Sequence, residues 1–207
     1  RELALFEATK AVREKRITAE ACVHHLRFNH HDYRRLGGAI KWNPSIKTPA
    51  DQAALAAGLV TGQIDFFATD HAPHTWEEKQ GTYAQAASGG PLVQHAVPAI
   101  LELYHEGKLT LPQVAAAISE HPAAAYRMVD RGVAREGALA DLVFIDLERP
   151  WTVEREQLQY RCGWSPFEGT TFRSRVEHVL VNGQWVVQAG ALTGVRAGQR
   201  LQFERER

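Results

Sequence analysis

One stretch constrains this chain more than any other: Ile64-Asp65-Phe66-Phe67-Ala68-Thr69, followed without a break by Asp70-His71-Ala72-Pro73-His74. The first half reads as a strand. The second half sets a carboxylate, two imidazoles and a proline where that strand gives way to a loop. With the strand over 64–69, Asp70 stands at its C-terminal end, which is where parallel α/β barrels display their chemical groups.

The surrounding sequence supports an alternation of helices and strands. Apolar residues Leu5, Ala8 and Val12 recur at spacings of three and four, predicting an amphipathic helix over 2–15, and 17–25 then turns strand-like. Residues 39–44 form a short extended piece ending in a turn. Thr48, Pro49 and Asp51 have the order of a cap, a first-turn proline and a capping-box partner, so a helix begins there and stops near Gly58 or Gly62. A glycine-rich loop through Gly81, Ser88, Gly89 and Gly90 is long enough to fold over a site. Helical stripes come next over 93–104 and from Thr110, with Pro122 expected to split the second into 111–119 and 122–128.

Beyond Gly132 the pattern changes. Residues 142–145 read as a short buried strand, and the runs 176–181 and 184–187 flank Asn182-Gly183, a strong hairpin signal. The expected division is therefore 1–132 as one unit and 133–207 as a small β unit, with 197–207 frayed.

Composition narrows the function. The 207 residues carry 24 basic and 24 acidic side chains, so no net field recruits nucleic acid or an anionic membrane. No apolar run is long enough for a membrane span. The two cysteines, Cys22 and Cys162, build no disulfide framework and no Cys-x-x-Cys pair, which fits a reducing cytoplasm. The chain opens on Arg1 inside what reads as a helix, so a fragment or a processed product is expected.

Read alone, Asp70 could be a turn residue, His74 a surface histidine, Asn43 a turn asparagine before Pro44, and Ser88-Gly89 a flexible loop. The pairs His24-His25 and His30-His31 lack the His-x-His or His-x3-His spacing that sets two imidazoles on one face, and they read as structural.

Taken together, Thr69-Asp70-His71-Ala72-Pro73-His74, the Lys41-Trp42-Asn43-Pro44 segment, His121-Pro122-Ala123 and Ala140-Asp141-Leu142 resemble the dihydroorotases of the cyclic amidohydrolase superfamily. Two departures stand out: Ser45 where those enzymes usually have a second proline, and Lys47 where they usually have arginine. The resemblance implies the C-terminal part of a (β/α)8 metal-dependent hydrolase barrel with a small composite β domain. It implies zinc, one or two ions, and Asp70 as both metal ligand and proton shuttle. It assigns Asn43, His74, Ser88 and Gly89 to the substrate. The remaining ligands, a His-x-His pair among them, are expected outside this chain. The implied partners are a small-molecule substrate and either further copies of the chain or the N-terminal half that completes the barrel. Hydantoinase, dihydropyrimidinase or allantoinase chemistry, and an inactive structural homologue, are the competing readings.

Overall fold

The computed structural model describes residues 2–204. Strand β1 (Glu20–Cys22) lies parallel to β2 (Phe66–Ala68), with Glu20 opposite Phe66, Ala21 opposite Phe67 and Cys22 opposite Ala68. Parallel neighbours need a long crossover. Here it contains α1 (Val23–Arg27), α2 (Tyr33–Leu36) and α3 (Pro49–Thr61). Helix α3 starts as its sequence requires: the Thr48 hydroxyl accepts from Asp51 N–H, and Asp51 accepts in return from Thr48 N–H. It stops at Gly62, whose φ of 76° closes the C-terminus in the left-handed region.

The chain then enters β2 past a buried ion pair. Lys15 Nζ donates to Asp65 Oδ1 at 2.5 Å, and Asp65 Oδ2 accepts from Ala19 N–H at 2.9 Å. Asp65 thus ties the N-terminal ends of both strands together. The core beside them gathers Val23, Leu26, Ile40, Trp42, Leu92, Ile100, Leu103, Phe167 and Phe172 in one cluster. Each such side chain removed from water stabilises the fold by roughly 1.5–3 kcal/mol.

Several expectations need correction. Residues 2–15 are not a helix: they form two 3-10 turns, Glu2–Leu5 and Val12–Glu14, and Leu5 is exposed. A short amphipathic helix depends on a surface to bury its stripe, and Glu7 accepts from both the N–H and the hydroxyl of Thr9, a local bond that competes with helix formation. The strand expected over 17–25 is confined to Glu20–Cys22. Val23 and Leu26, three apart and both buried, set a helical period from there, so His24 and His25 ride on α1 and do not end a strand. Strand β2 is likewise shorter than 64–69, and residues 37–40 form a 3-10 turn.

After the loop, a 3-10 turn (Val93–His95) leads into α4 (Ala96–His105). Thr110 and Gln113 form a capping box at α5 (Leu111–Ala115). Pro122 does not split the helical segment that Thr110 opens. A π-helical turn (Ala116–Glu120) joins α5 to α6 (His121–Ala125), so the rod continues through the residue that lacks an N–H. At this joint His121 Nδ1 donates to the Asp65 carbonyl at 2.6 Å.

The second half contains an antiparallel sheet in the order β3 (Leu142–Asp146), β6 (Arg175–Val181), β7 (Gln184–Gln188), β8 (Ala191–Leu192), and a small pair, β4 (Trp151–Thr152) with β5 (Thr171–Phe172). The β6–β7 turn has Asn182 at φ 49° and Gly183 at φ 76°, the left-handed pair of a type I′ hairpin. Strand β3 is not buried as expected: Leu142, Val143 and Phe144 alternate between the two faces of the sheet and are all exposed, so both faces meet solvent at this strand. Nor are residues 197–204 frayed. Ala197 is buried, Met128 bridges to Phe203, and Arg13 pairs with Glu204. Residues 205–207 lie outside the described range.

Candidate active site

Strands β1 and β2 end level with each other, at Cys22 and Ala68. Two residues past β2, the chain turns at Asp70, whose φ of 45° is uncommon outside glycine but tolerated by aspartate. Asp70 is exposed, so its carboxylate can meet a ligand or an ion. On the β1 side His25 Nε2 donates to the Pro44 carbonyl at 2.9 Å, which brings the Asn43-Pro44 turn against the same strand end. Asn43 itself is exposed.

Loop 71–92 folds back on this edge. His71 Nδ1 accepts from the N–H groups of Leu92 (3.0 Å) and Val93 (3.4 Å), and His71 bridges to Gly90, closing the loop at its base. His74 Nε2 donates to the Ser88 carbonyl at 3.0 Å, and its Nδ1 lies 3.3 Å from Glu78 Oε2. The Thr75 N–H bond, with help from His74, holds the Glu78 carboxyl below the ordinary range. His74 and Ser88 are thus in contact, and the Ser88 hydroxyl is buried without a partner among the described residues.

Gly89 N–H donates to the Lys41 carbonyl (2.9 Å) and the Gly89 carbonyl accepts from Lys79 Nζ (2.6 Å), so one backbone group ties the loop to the Lys41 segment and the other is engaged inside the loop. Glycine is required there for geometry: φ is 118°, and a Cβ would stand 2.5 Å from the Ala72 carbonyl oxygen.

Lys79 is the residue that sequence reasoning missed. Set in the polar run Glu77-Glu78-Lys79-Gln80, it looks like a surface lysine, yet it is buried. Its ammonium also reaches the carbonyls of Ala87 (2.7 Å) and Lys41 (3.2 Å), with the rings of Trp42 and Trp164 5.7 and 5.9 Å away. Burial, and secondarily the Lys41 cation, lowers it to about 8. Trp164 adds a bond from its indole N–H to the His74 carbonyl at 2.8 Å.

Three further groups meet at the end of β1. One ligand atom each from Cys22, His24 and His25 lies within 4.8 Å of the others. Burial, then the carboxylates of Asp70 and Glu20, pushes the Cys22 thiol up to about 12. Burial lowers His24 to about 3, and it also lowers His25, where the Pro44 bond and Asp70 act in opposition. The signal is present in sequence as Cys22-Val23-His24-His25, but it lies outside the usual ligand spacings. For a metal at this edge, Asp70 offers a carboxylate open to solvent, a donor that suits one side of a site.

The profile of the amidohydrolase family matches residues 8–186, and the chain belongs to that family. Members of the family are generally metal-dependent. More particularly, the chain is similar to the dihydroorotases of Anaplasma phagocytophilum (34% identical over 174 residues, 84% of this chain and 39% of that protein) and Geobacter sp. strain M21 (35% over 175 residues, 84% and 41%). It spans about two fifths of the length of these relatives. Among solved structures it shares its fold with the L-hydantoinase of Arthrobacter aurescens (TM-score 0.80, 24% identity, 84% of this chain and 40% of that one) and the dihydropyrimidinase of Brevibacillus agri (TM-score 0.77, 21%, 85% and 40%).

Proposed function

We propose that the chain is the C-terminal part of a dihydroorotase, an enzyme of pyrimidine biosynthesis that reversibly hydrolyses dihydroorotate to N-carbamoyl-L-aspartate. The observation that carries this reading is Asp70: an exposed carboxylate at the C-terminal end of a parallel strand, within the segment Thr69 to His74. In this reading 1–132 supplies the last strands and helices of a (β/α)8 barrel, and 133–207 belongs to a small β domain. The protein works in the cytoplasm, with the rest of the barrel completing the site.

The reaction adds water across the ring amide, so one proton must travel from water to the departing nitrogen. Asp70 takes that proton and returns it. Asp70 would hold a zinc ion on this side, and the chemistry such an ion would supply is acidity to water and polarisation of the amide carbonyl. Asn43 meets the carboxylate end of the substrate, and His74 also binds the substrate, one of its ring nitrogens exchanging its partner in the loop for the ligand. The Ser88-Gly89 turn closes over it, with the unpartnered Ser88 hydroxyl as the group free to bond.

The test is an assay of the intact protein on dihydroorotate, dihydrouracil and allantoin. Turnover of dihydroorotate above the other two is expected. Preference for dihydrouracil or allantoin would move the assignment to a hydantoinase-like enzyme. No turnover with metal supplied would make it an inactive homologue.

A further inference from the structure

We propose that Cys22, His24 and His25 form a binding site for a thiophilic divalent transition metal ion, held by the Cys22 thiolate and two neutral imidazoles at the end of β1. The three are not among the ligands that the resemblance implies, and the proposal does not rest on the reaction assigned above.

Their ligand atoms lie within 4.8 Å of one another, so a contraction of about an ångström brings them to the spacing that metal bonds of roughly 2.0–2.3 Å require. His24 provides the second observation. Its ring is fully buried, and neither nitrogen has a partner among the described residues. Buried polar atoms are nearly always satisfied, and a metal ion would satisfy this one. Stacking on Trp42, at 4.4 Å between centroids and 7° between planes, fixes the ring before any ion arrives.

His25 is prepared in another way. Because the Pro44 carbonyl can only accept, the Nε2 of His25 carries the proton and Nδ1 keeps its lone pair. A carbonyl on the far nitrogen is the usual support of a metal-bound histidine. Binding exchanges the thiol proton of Cys22 for the ion, the proton leaving to solvent, and Asp70 lies near enough to favour the added positive charge electrostatically.

The test is cobalt(II) titration of the intact protein after metal has been removed by chelation. A thiolate-to-cobalt charge-transfer band is expected, absent in Cys22→Ser, retained in Cys162→Ser, and requiring roughly tenfold or more cobalt in His25→Gln. An Asp70-centred site, which ligates through oxygen and nitrogen, produces no such band. Absence of the band in the wild type, its survival in Cys22→Ser, or unchanged affinity in His25→Gln would overturn the proposal. Cys22→Ser exchanges a single atom, so the comparison is made between folded proteins.

Discussion

Lys79 Nζ lies 2.6 Å from the carbonyl oxygen of Gly89, and the same ammonium holds the carbonyls of Ala87 and Lys41. One buried cation thus joins the two turns that carry Asn43 and Ser88. Lys79→Met takes the ammonium donor from the Gly89 and Ala87 carbonyls, while the Lys41 carbonyl keeps the Gly89 N–H, and a loss of about 2–4 kcal/mol is expected. Urea unfolding of the intact protein measures it, with KM rising more than kcat falls if the loop is what loosens.

Asp70 sits in the open at the end of β2, so its side chain does little for packing. Asp70→Asn should lower turnover of dihydroorotate by roughly 10^2–10^4-fold or more while leaving the melting temperature nearly unchanged. Retained turnover would remove Asp70 from the role of proton carrier.

Gly89→Ala forces a side chain into a φ of 118° and against the Ala72 carbonyl. A cost of about 1–3 kcal/mol is expected. It should appear in the loop first, as faster amide exchange at residues 86–90 than in β2.

His95 is buried against Trp151, Phe167 and Phe172, with Ser165 Oγ 3.1 Å and Tyr160 OH 3.5 Å from its Nδ1. Burial lowers its folded pKa to about 4 from the ordinary 6.5. Between those values the unfolded chain binds a proton that the native state refuses, so stability falls as pH drops from 6.5 toward 4. His95→Gln should flatten that slope in urea midpoints measured across the range. An equally steep slope in the variant would show that the protons are taken up elsewhere.

These features are not equally legible in the sequence. Thr48 with Asp51, Thr110 with Gln113, and Asn182-Gly183 act through atoms a few residues apart, and each is readable because its partner is local. The position of Asp70 just past β2 is legible because an apolar run closes there on a carboxylate, whereas its assigned role comes from the resemblance, since a lone aspartate at such a place reads equally as a turn residue. Residues 2–15 mislead because a hydrophobic stripe says nothing about whether a surface exists to receive it. The His24-His25 pair reads as strand because Val23 and Leu26 offer too few positions to separate a period of 3.6 from a period of 2. Lys79 is invisible for a different reason: its three acceptors are backbone carbonyls, which carry no residue identity.

The π turn at Ala116–Glu120 sets the phase of the helix beyond it. It is one residue wider than an α-helical turn, and its five residues carry the chain through nearly the same angle as four residues of α-helix. Deleting a single residue there would therefore leave a regular α-helix with His121 still directed at the Asp65 carbonyl. An added residue has no such slack to fill and would turn His121 by about 100° away from that carbonyl. Segment 116–120 is thus expected to tolerate shortening by one residue and to resist lengthening, with the entrance of the strand that carries Asp70 as the place where the difference is felt.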